Sequence, residues 1–402
     1  MSTEGTESPF TQSTGSARHA VLAELAAAGP VHRVRLFTGV DVWLITGQTE
    51  VREALAHPDI RRSPEQIPHR EATPPELAAA MHQHILSSNP PDHTRMRKLV
   101  AAAFSRGGVA KLTSRIGALA AELLDELAEA GADGSTVDLV AGFGYPLPIT
   151  VIAELLGVPP ERRADFRRWS VIVTSGPAYP AEVYLGAARE LLDFLRELVA
   201  DKRAAPSTDL LSDLIAVRDG QAALTEDELT SMAFLLLSAG HETTVNLIAN
   251  GVYALLTHPD QLALLRAESE RLPDAVEELL RFDSPVQVTL PSVTAAPVRI
   301  GAVTIPAGEV VVPALLAANR DPNRYDLPER LDIAAAHGSH VAFGHGIHHC
   351  LGAPLARAEG RVAIGALLER FPRLRLADPA AEPERVPSLL LNGMRELMVR
   401  VD

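Results

Sequence analysis

Residues 343–352 read Phe-Gly-His-Gly-Ile-His-His-Cys-Leu-Gly and contain Cys350, the only cysteine of the chain. The three glycines of this stretch allow a tight backbone that can approach a large, flat group. A run with helical periodicity follows, from Ala353 to about Phe371, so Cys350 lies just before the N-terminus of a helix. Free N–H groups and the helix dipole favour a thiolate there over a thiol. The stretch therefore predicts a metal-ligating cysteine.

Two other interpretations of Cys350 are open from these residues alone. A lone cysteine is commonly a small, buried, structural side chain. A zinc site could combine Cys350 with His345, His348 or His349. Neighbours on such a short segment would form a closed tetrahedron with difficulty, and no further cysteine or paired histidine lies at the spacing of a zinc site.

Outward from this stretch, hydrophobic periodicity predicts a mainly α-helical protein with small β-sheets. Helices are expected, for example, at 109–130 and 187–204. Alternating apolar residues predict β-hairpins at 32–46, 298–312 and 389–399, with turns at Thr38-Gly39, Pro306-Ala307-Gly308 and Asn392-Gly393.

The longest predicted helix begins at a capping box, Thr225 with Glu228, and runs to about Leu256. It contains Ala-Gly-His-Glu-Thr-Thr at 239–244. A glycine inside a helix costs about 1 kcal/mol relative to alanine, and adjacent β-branched residues weaken the turn further. The pattern predicts a weak turn with a functional purpose.

Composition and charge narrow the classes of function. The chain has 402 residues, 47% of them apolar, and a net charge of −14, which disfavours non-specific binding to nucleic acid or to an anionic membrane. No apolar run is long enough to span a membrane, and the N-terminus does not resemble a signal peptide. We expect a cytoplasmic protein with a polar, flexible tail at 1–18 and one domain at 19–402. The Pro-rich connection 59–92 is expected to be a binding loop.

The stretch around Cys350 resembles the signature Phe-Gly-x-Gly-x-His-x-Cys-x-Gly of the cytochrome P450 family, and the resemblance extends from about Gly29 to the C-terminus. It implies a P450 fold, with haem b between the long distal helix and the proximal cysteine loop and its following helix. Cys350 would be the axial ligand of the haem iron.

The resemblance also implies roles for other residues. Ala239 and Gly240 would leave room for dioxygen, and Glu242 with Thr243 would form the acid–alcohol pair that delivers protons. The remaining haem contacts would come from the signature and from the helix that begins near residue 92: His93, Arg97, Phe343 and His348. Where the family commonly carries an arginine or histidine for a haem propionate, this chain has Ser292, which predicts weaker or rearranged anchoring.

Glu278 and Arg281 resemble the Glu-x-x-Arg motif of the family, and Arg330 resembles the third member of its network. The resemblance implies a buried structural network. An isolated acid–arginine pair at this spacing would otherwise be a surface ion pair worth about 0.2–0.5 kcal/mol.

The resemblance implies hydroxylation of a large, neutral, hydrophobic natural product, a macrolide or polyketide, in secondary metabolism. The expected pocket is almost wholly apolar: Ile85, Leu86, Leu235, Ser238, Ala239, Val288, Leu290 and Leu391. Sterol-like or terpenoid substrates, epoxidation and coupling are alternatives, as is a non-catalytic haem protein, against which the Glu242–Thr243 pair argues.

The implied partners are dioxygen and external electrons. Because the chain ends at Asp402, shortly after the third predicted hairpin, no fused reductase is expected. Electrons would come from a separate ferredoxin and an NAD(P)H-dependent ferredoxin reductase. Arg95 and Lys98 could contribute to a basic patch for that ferredoxin, and the protein is expected to be a monomer.

Overall fold

The chain forms two compact units in a computed structural model that describes residues 10, 14–36, 39–63, 74–107, 109–174, 179–218, 224–335 and 338–402. Unit 1 comprises Met1–Arg62, Gly117–Tyr145 and Thr243–Asp402, and unit 2 comprises Ser63–Ile116 and Pro146–Glu242. The strands described all belong to unit 1. The predicted fold class, mainly α with small sheets, is confirmed.

The helices and strands are numbered in chain order. The helices are α1 Gly15–Ala28, α2 Gln48–Ala56, α3 Pro75–His82, α4 Asp92–Gly107, α5 Val109–Ala130, α6 Pro146–Leu155, α7 Arg163–Thr174, α8 Ala181–Ala204, α9 Leu210–Arg218, α10 Glu226–Gly240, α11 Glu242–Thr257, α12 Pro259–Ala267, α13 Leu272–Phe282, α14 Leu315–Ala318 and α15 Ala353–Arg370. The strands are β1 Val31–Arg35, β2 Asp41–Ile45, β3 Ile60–Arg61, β4 Val137–Asp138, β5 Ser292–Thr294, β6 Val298–Ile300, β7 Val303–Ile305, β8 Val310–Pro313, β9 Arg375–Leu376 and β10 Met398–Arg400. None of the helices in the described ranges combines the length and apolarity that a membrane span requires.

Three small sheets form the β-structure of unit 1, with strand orders β1-β2-β8-β5-β3, β4-β10-β9 and β6-β7. The hairpin predicted at 32–46 is confirmed by the antiparallel pair β1–β2; Thr38 of its turn lies outside the described residues. Apolar side chains of β1, β2 and β8 face one core together with Leu22 and Leu25 of α1. Burial of this face holds the five-stranded sheet against α1.

The predicted hairpin at 298–312 is shorter than expected and turns elsewhere. β6 and β7 pair from Val298↔Ile305 to Ile300↔Val303, with Gly301 at a φ of +54° in the turn. The segment that was expected to turn instead leads to β8 in the five-stranded sheet. Thr294 holds it there, because its hydroxyl donates to the Pro306 carbonyl and its own carbonyl accepts from the Gly308 N–H at 2.7 Å.

The predicted hairpin at 389–399 is wrong. β10 pairs with β4 and β9. Asn392 is buried, and its side-chain amide donates to Asp283 at 2.6 Å. The polar dipeptide therefore serves a buried hydrogen-bond network, and the requirement to pair that amide outweighs its turn propensity.

Helix α1 begins at Gly15, inside the tail that was expected to extend to residue 18. Thr14 caps it by accepting from the Ala17 N–H at 3.3 Å. Arg18 is buried, and its guanidinium donates to the Val386 carbonyl at 3.0 Å. Order thus begins earlier than the polar composition indicated, because these side chains have partners far along the chain.

The Glu-x-x-Arg pair of α13 is buried, as expected. Arg281 donates from Nε and Nη2 to the Glu278 carboxylate at 2.7 Å each. The same guanidinium reaches the carbonyls of Asn319, Pro328 and Arg330. The expected role of the Arg330 side chain is wrong: that side chain is 56% exposed, and its Nη2 lies 3.6 Å from the Asp332 carboxylate. Arg330 joins the network through its backbone carbonyl, because its guanidinium pairs with Asp332 instead.

Glu278→Ala is expected to lower the free energy of unfolding by about 3–5 kcal/mol, because it leaves the Arg281 charge buried without its carboxylate. Denaturant unfolding of the holoprotein measures the loss. Asp193→Ala is the matched control, since Asp193 forms an exposed i,i+3 pair with Arg196 at 3.1 Å and should change stability by less than about 0.5 kcal/mol. Equal losses in the two variants would contradict a structural role for the buried pair.

Candidate active site

The loop before Cys350 is held in a tight conformation that depends on glycine. Gly344 and Gly346 have φ angles of +71° and +70°, which side-chain-bearing residues rarely adopt. A Cβ on Gly346 would lie 2.5 Å from the Leu55 carbonyl oxygen, so the backbone of α2 also excludes a side chain there. The Cys350 N–H donates to the Phe343 carbonyl at 2.9 Å and closes the loop.

Cys350 is exposed and precedes Gly352, the N-cap of α15. The placement before a helix N-terminus is as predicted, and the interpretation as a buried structural cysteine is wrong. Among the described residues, no group of three or more His, Cys, Asp or Glu side chains is arranged to hold a metal ion. At the start of a helix, the dipole favours the thiolate form of this cysteine over the thiol.

Arg357, one turn into α15, contributes a cation that the sequence analysis missed. It forms a fork to the Glu277 carboxylate at 2.6 and 2.7 Å, and its guanidinium carbon lies 4.4 Å from the centre of the Phe343 ring. The hydrogen bond to Glu277 raises the pKa of Arg357, and the charge of Cys350 adds to that shift. Burial alone would raise the pKa of Glu277, yet hydrogen bonds from Arg357 and His340 hold it at about 2. Phe343 thus contacts the Arg357 guanidinium through its ring and closes the cysteine loop through its carbonyl.

His348 lies in a short 3₁₀ helix, Gly346–His348, and is partly exposed two residues before Cys350. This position follows from the loop conformation.

Helix α4 of unit 2 carries the predicted pair His93 and Arg97. His93 is 2% exposed and Arg97 is partly exposed. The spacing of four residues within one helix places both on the same face, as expected. Arg95 forms a two-pronged salt bridge with Glu228, with 3.2 Å between Nη1 and Oε2. The Glu228 carboxylate therefore offsets the charge that Arg95 was predicted to contribute to a basic docking patch.

The predicted weak turn interrupts the long helix. The capping box of Thr225 and Glu228 is confirmed, but α10 ends at Gly240 and α11 begins at Glu242. His241 is fully buried between them, and its Nδ1 lies 2.9 Å from the Leu237 carbonyl. Burial lowers the pKa of His241 to about 4, so the ring is neutral and Nδ1 donates its proton. His241 thus satisfies a carbonyl at the break, a role that periodicity did not reveal.

Gly240 allows α6 to approach the end of α10. A Cβ on Gly240 would lie 2.5 Å from Cδ1 of Ile152. Ala239, beside it, is exposed. Gly240 therefore serves the packing of α6 against α10, and Ala239 presents a small, exposed side chain at the break; the room for dioxygen that the resemblance implies there stays a prediction.

Glu242 and Thr243 occupy the first two positions of α11 and are partly exposed. Burial raises the pKa of Glu242, while a hydrogen bond with Thr174 opposes part of the shift. A carboxyl with a raised pKa keeps its proton to higher pH and can donate it. The pair can therefore provide an acid beside a hydroxyl.

The predicted substrate-pocket residues are distributed over both units. In unit 2, Ile85 and Leu235 are buried, Leu86 and Ser238 are partly exposed and Ala239 is exposed. In unit 1, Leu290 and Leu391 are partly exposed. Val288 belongs to the hydrophobic core with Leu22 and Leu25, so a packing role accounts for this residue.

Comparison with known proteins identifies the group to which this arrangement is similar. The family model described as cytochrome P450 matches residues 182–392. The chain is 43% identical to 6-deoxyerythronolide B hydroxylase of Saccharopolyspora erythraea, over 94% of this chain and 95% of that protein. It is 44% identical to vitamin D(3) 25-hydroxylase of Pseudonocardia autotrophica, over 99% and 98%. The solved structure of the tirandamycin C-bound P450 monooxygenase TamI matches with a TM-score of 0.86 and 42% identity, covering 97% of this chain and 98% of that one.

Proposed function

Because the chain belongs to the cytochrome P450 family and is a monooxygenase, we propose that it hydroxylates a large, neutral macrolide or polyketide that carries no aminosugar. Membership implies a haem iron, which we propose is that of haem b. The observation that carries the proposal for the site is the exposed Cys350 sulfur before α15, in a loop that admits only glycine at Gly346.

The residue types of the cysteine loop fit haem. Cys350 would supply the thiolate ligand and His348 a hydrogen-bond donor to the carboxylates, and the resemblance assigns further donors to His93 and Arg97 of α4. When bound, haem supplies activation of dioxygen and transfer of one oxygen atom to a C–H bond. The resemblance places a flat macrocycle against the glycine loop, whose conformation is set by the positive φ angles of Gly344 and Gly346 and by the close approach of Leu55 to Gly346.

Glu242 and Thr243 would hold and transfer the protons that the reaction requires. The Glu242 carboxyl holds a proton at Oε to higher pH than an exposed glutamate because burial raises its pKa. The Thr243 hydroxyl can accept a hydrogen bond and donate its own proton. Positioned proton transfer of this kind contributes about 10²–10⁴ in rate.

The substrate class rests on one similarity and on two features of the sequence. Named relatives include a hydroxylase of a deoxyerythronolide, and the predicted pocket is almost entirely apolar, which suits a large hydrophobic ligand. The loop segment Leu86-Ser87-Ser88-Asn89 has no carboxylate that could pair with the cation of an aminosugar. A sterol-like substrate is the second candidate, favoured by the similarity to vitamin D(3) 25-hydroxylase.

The family uses dioxygen and redox partners. We propose a separate ferredoxin and an NAD(P)H-dependent ferredoxin reductase as the electron source, and a cytoplasmic monomer as the working form. Exposed Lys98 of α4 remains available to an acidic ferredoxin.

Titration of the ferric enzyme with a macrolide aglycone and its aminosugar-bearing counterpart tests the substrate class. We expect the aglycone to bind at least about tenfold more tightly, because an unpaired ammonium group would lose its hydration in an apolar pocket. The measurement is the spectral shift as water leaves the iron. Leu86→Glu is expected to narrow or reverse the preference. Tighter binding of the aminosugar form by the wild type would contradict the proposal, and tighter binding of a sterol than of either macrolide would favour the second candidate.

A further inference from the structure

Arg62 lies beside the position where the family commonly carries a propionate-binding cation. β3 and β5 pair antiparallel, with Ile60 opposite Thr294 and Arg61 opposite Val293. Continuing this register places Arg62 opposite Ser292. Both are buried, with exposed fractions of 6% and 7%.

The Arg62 side chain reaches across to the neighbouring strand. Its Nη1 donates to Ser292 Oγ at 3.0 Å and to the Leu290 carbonyl. Opposite residues of an antiparallel pair have Cβ atoms only about 4.5–5.5 Å apart. A long side chain on one strand can therefore place its head group where a side chain on the other strand would place its own.

The Arg62 guanidinium is a charged group at neutral pH. Burial lowers its pKa to about 10, which still leaves it protonated. The small side chain of Ser292 leaves room for it and accepts one of its hydrogen bonds. An arginine at 292 would bring a second guanidinium to the same place, at a cost from like-charge repulsion.

We infer that Arg62 supplies the propionate-binding cation of this protein, in place of the arginine or histidine that the family commonly carries at the position of Ser292. The cationic residue is Arg62, beside the neighbouring strand, and its guanidinium lies at the Ser292 hydroxyl oxygen. The inference rests on the proposed binding of haem. Of the two outcomes that Ser292 predicted, weaker or rearranged anchoring, it favours the second.

The rate of haem transfer from the ferric protein to apomyoglobin tests the inference. Arg62→Ala is expected to lose haem at least about tenfold faster than the wild type, since a charge-assisted hydrogen bond is lost. Arg61→Ala is the matched control, because Arg61 is on the same strand with a side chain 57% exposed, and it should retain the wild-type rate. The ferric–ferrous midpoint potential should fall in Arg62→Ala but not in Arg61→Ala, because only the first removes a positive charge near the iron.

A charge exchange separates propionate binding from a purely structural role. The double variant Arg62→Ser/Ser292→Arg should return the haem-transfer rate towards that of the wild type, and Ser292→Arg alone should not slow haem loss. If Arg62→Ala fails to load haem, the double variant decides: restored loading supports the inference, and continued failure overturns it. Wild-type transfer rates and potentials in Arg62→Ala would also overturn it. Those results leave the proposed function intact, whereas failure of the wild type to show thiolate-ligated haem would refute the proposed function itself.

Discussion

Cys350→Ser is expected to abolish the red-shifted Soret band of the ferrous–CO complex, because only a thiolate donates enough electron density to the iron to produce it. The substitution exchanges sulfur for oxygen at an exposed position. It keeps the N–H that donates to the Phe343 carbonyl and closes the loop. The spectrum of the reduced, CO-treated protein measures the effect.

His349→Ala is the matched control for that variant. His349 is the exposed neighbour of Cys350, and its replacement should leave the band in place. A thiolate band that persists in Cys350→Ser would refute haem–thiolate ligation by this residue. Loss of the band in both variants would indicate that the loop had collapsed, and it would contradict the specific role of the sulfur.

Thr243→Ala is expected to retain haem and substrate binding while the product formed per NAD(P)H consumed falls about five- to tenfold and peroxide rises. The methyl side chain removes a hydroxyl worth about 1 kcal/mol as a hydrogen-bond partner, at the second position of α11 beside Glu242. Helix α10 ends at Gly240 and α11 begins at Glu242, so alanine at 243 lies within α11 and introduces no new break. Product and peroxide are measured together against cofactor consumption.

Thr243→Ser retains the hydroxyl and is the control, with a ratio near that of the wild type. An unaltered ratio in Thr243→Ala would mean that another group, such as a substrate hydroxyl or a water molecule, provides the hydrogen bond. That result would remove Thr243 from the catalytic pair and leave the role of Glu242 to be tested separately.

Much of the site could be predicted from local sequence because its properties are local. The turn that Gly344 and Gly346 permit, the start of α15 after Cys350 and the capping box of Thr225 depend on nearby residues, and the structure has each of them where expected. The low helix propensity of residues 239–244 also predicted the weak turn. It did not predict that the helix would break there, because the break depends on burial of His241 and on the approach of Ile152 to Gly240.

Pairings between distant residues were beyond local patterns. Asn392-Gly393 has the propensity of a hairpin turn, yet Asn392 pairs with Asp283, which is far away in sequence. Arg330 was expected to contribute a side chain and contributes a carbonyl to Arg281, because its guanidinium pairs with Asp332 instead. Such competition for partners is resolved only when the strands and helices are packed.

By itself the sequence determined the class of fold, the position of Cys350 before a helix N-terminus, and the weak turn that carries Glu242 and Thr243, since spacing and propensity act within a few residues. Tertiary structure alone decided that Arg357 lies over Phe343 and that Arg62 reaches Ser292. The physical reason is that a long cationic side chain can contact a partner on a different strand or helix. Its partner therefore depends on strand register and burial, which no local pattern of residues specifies.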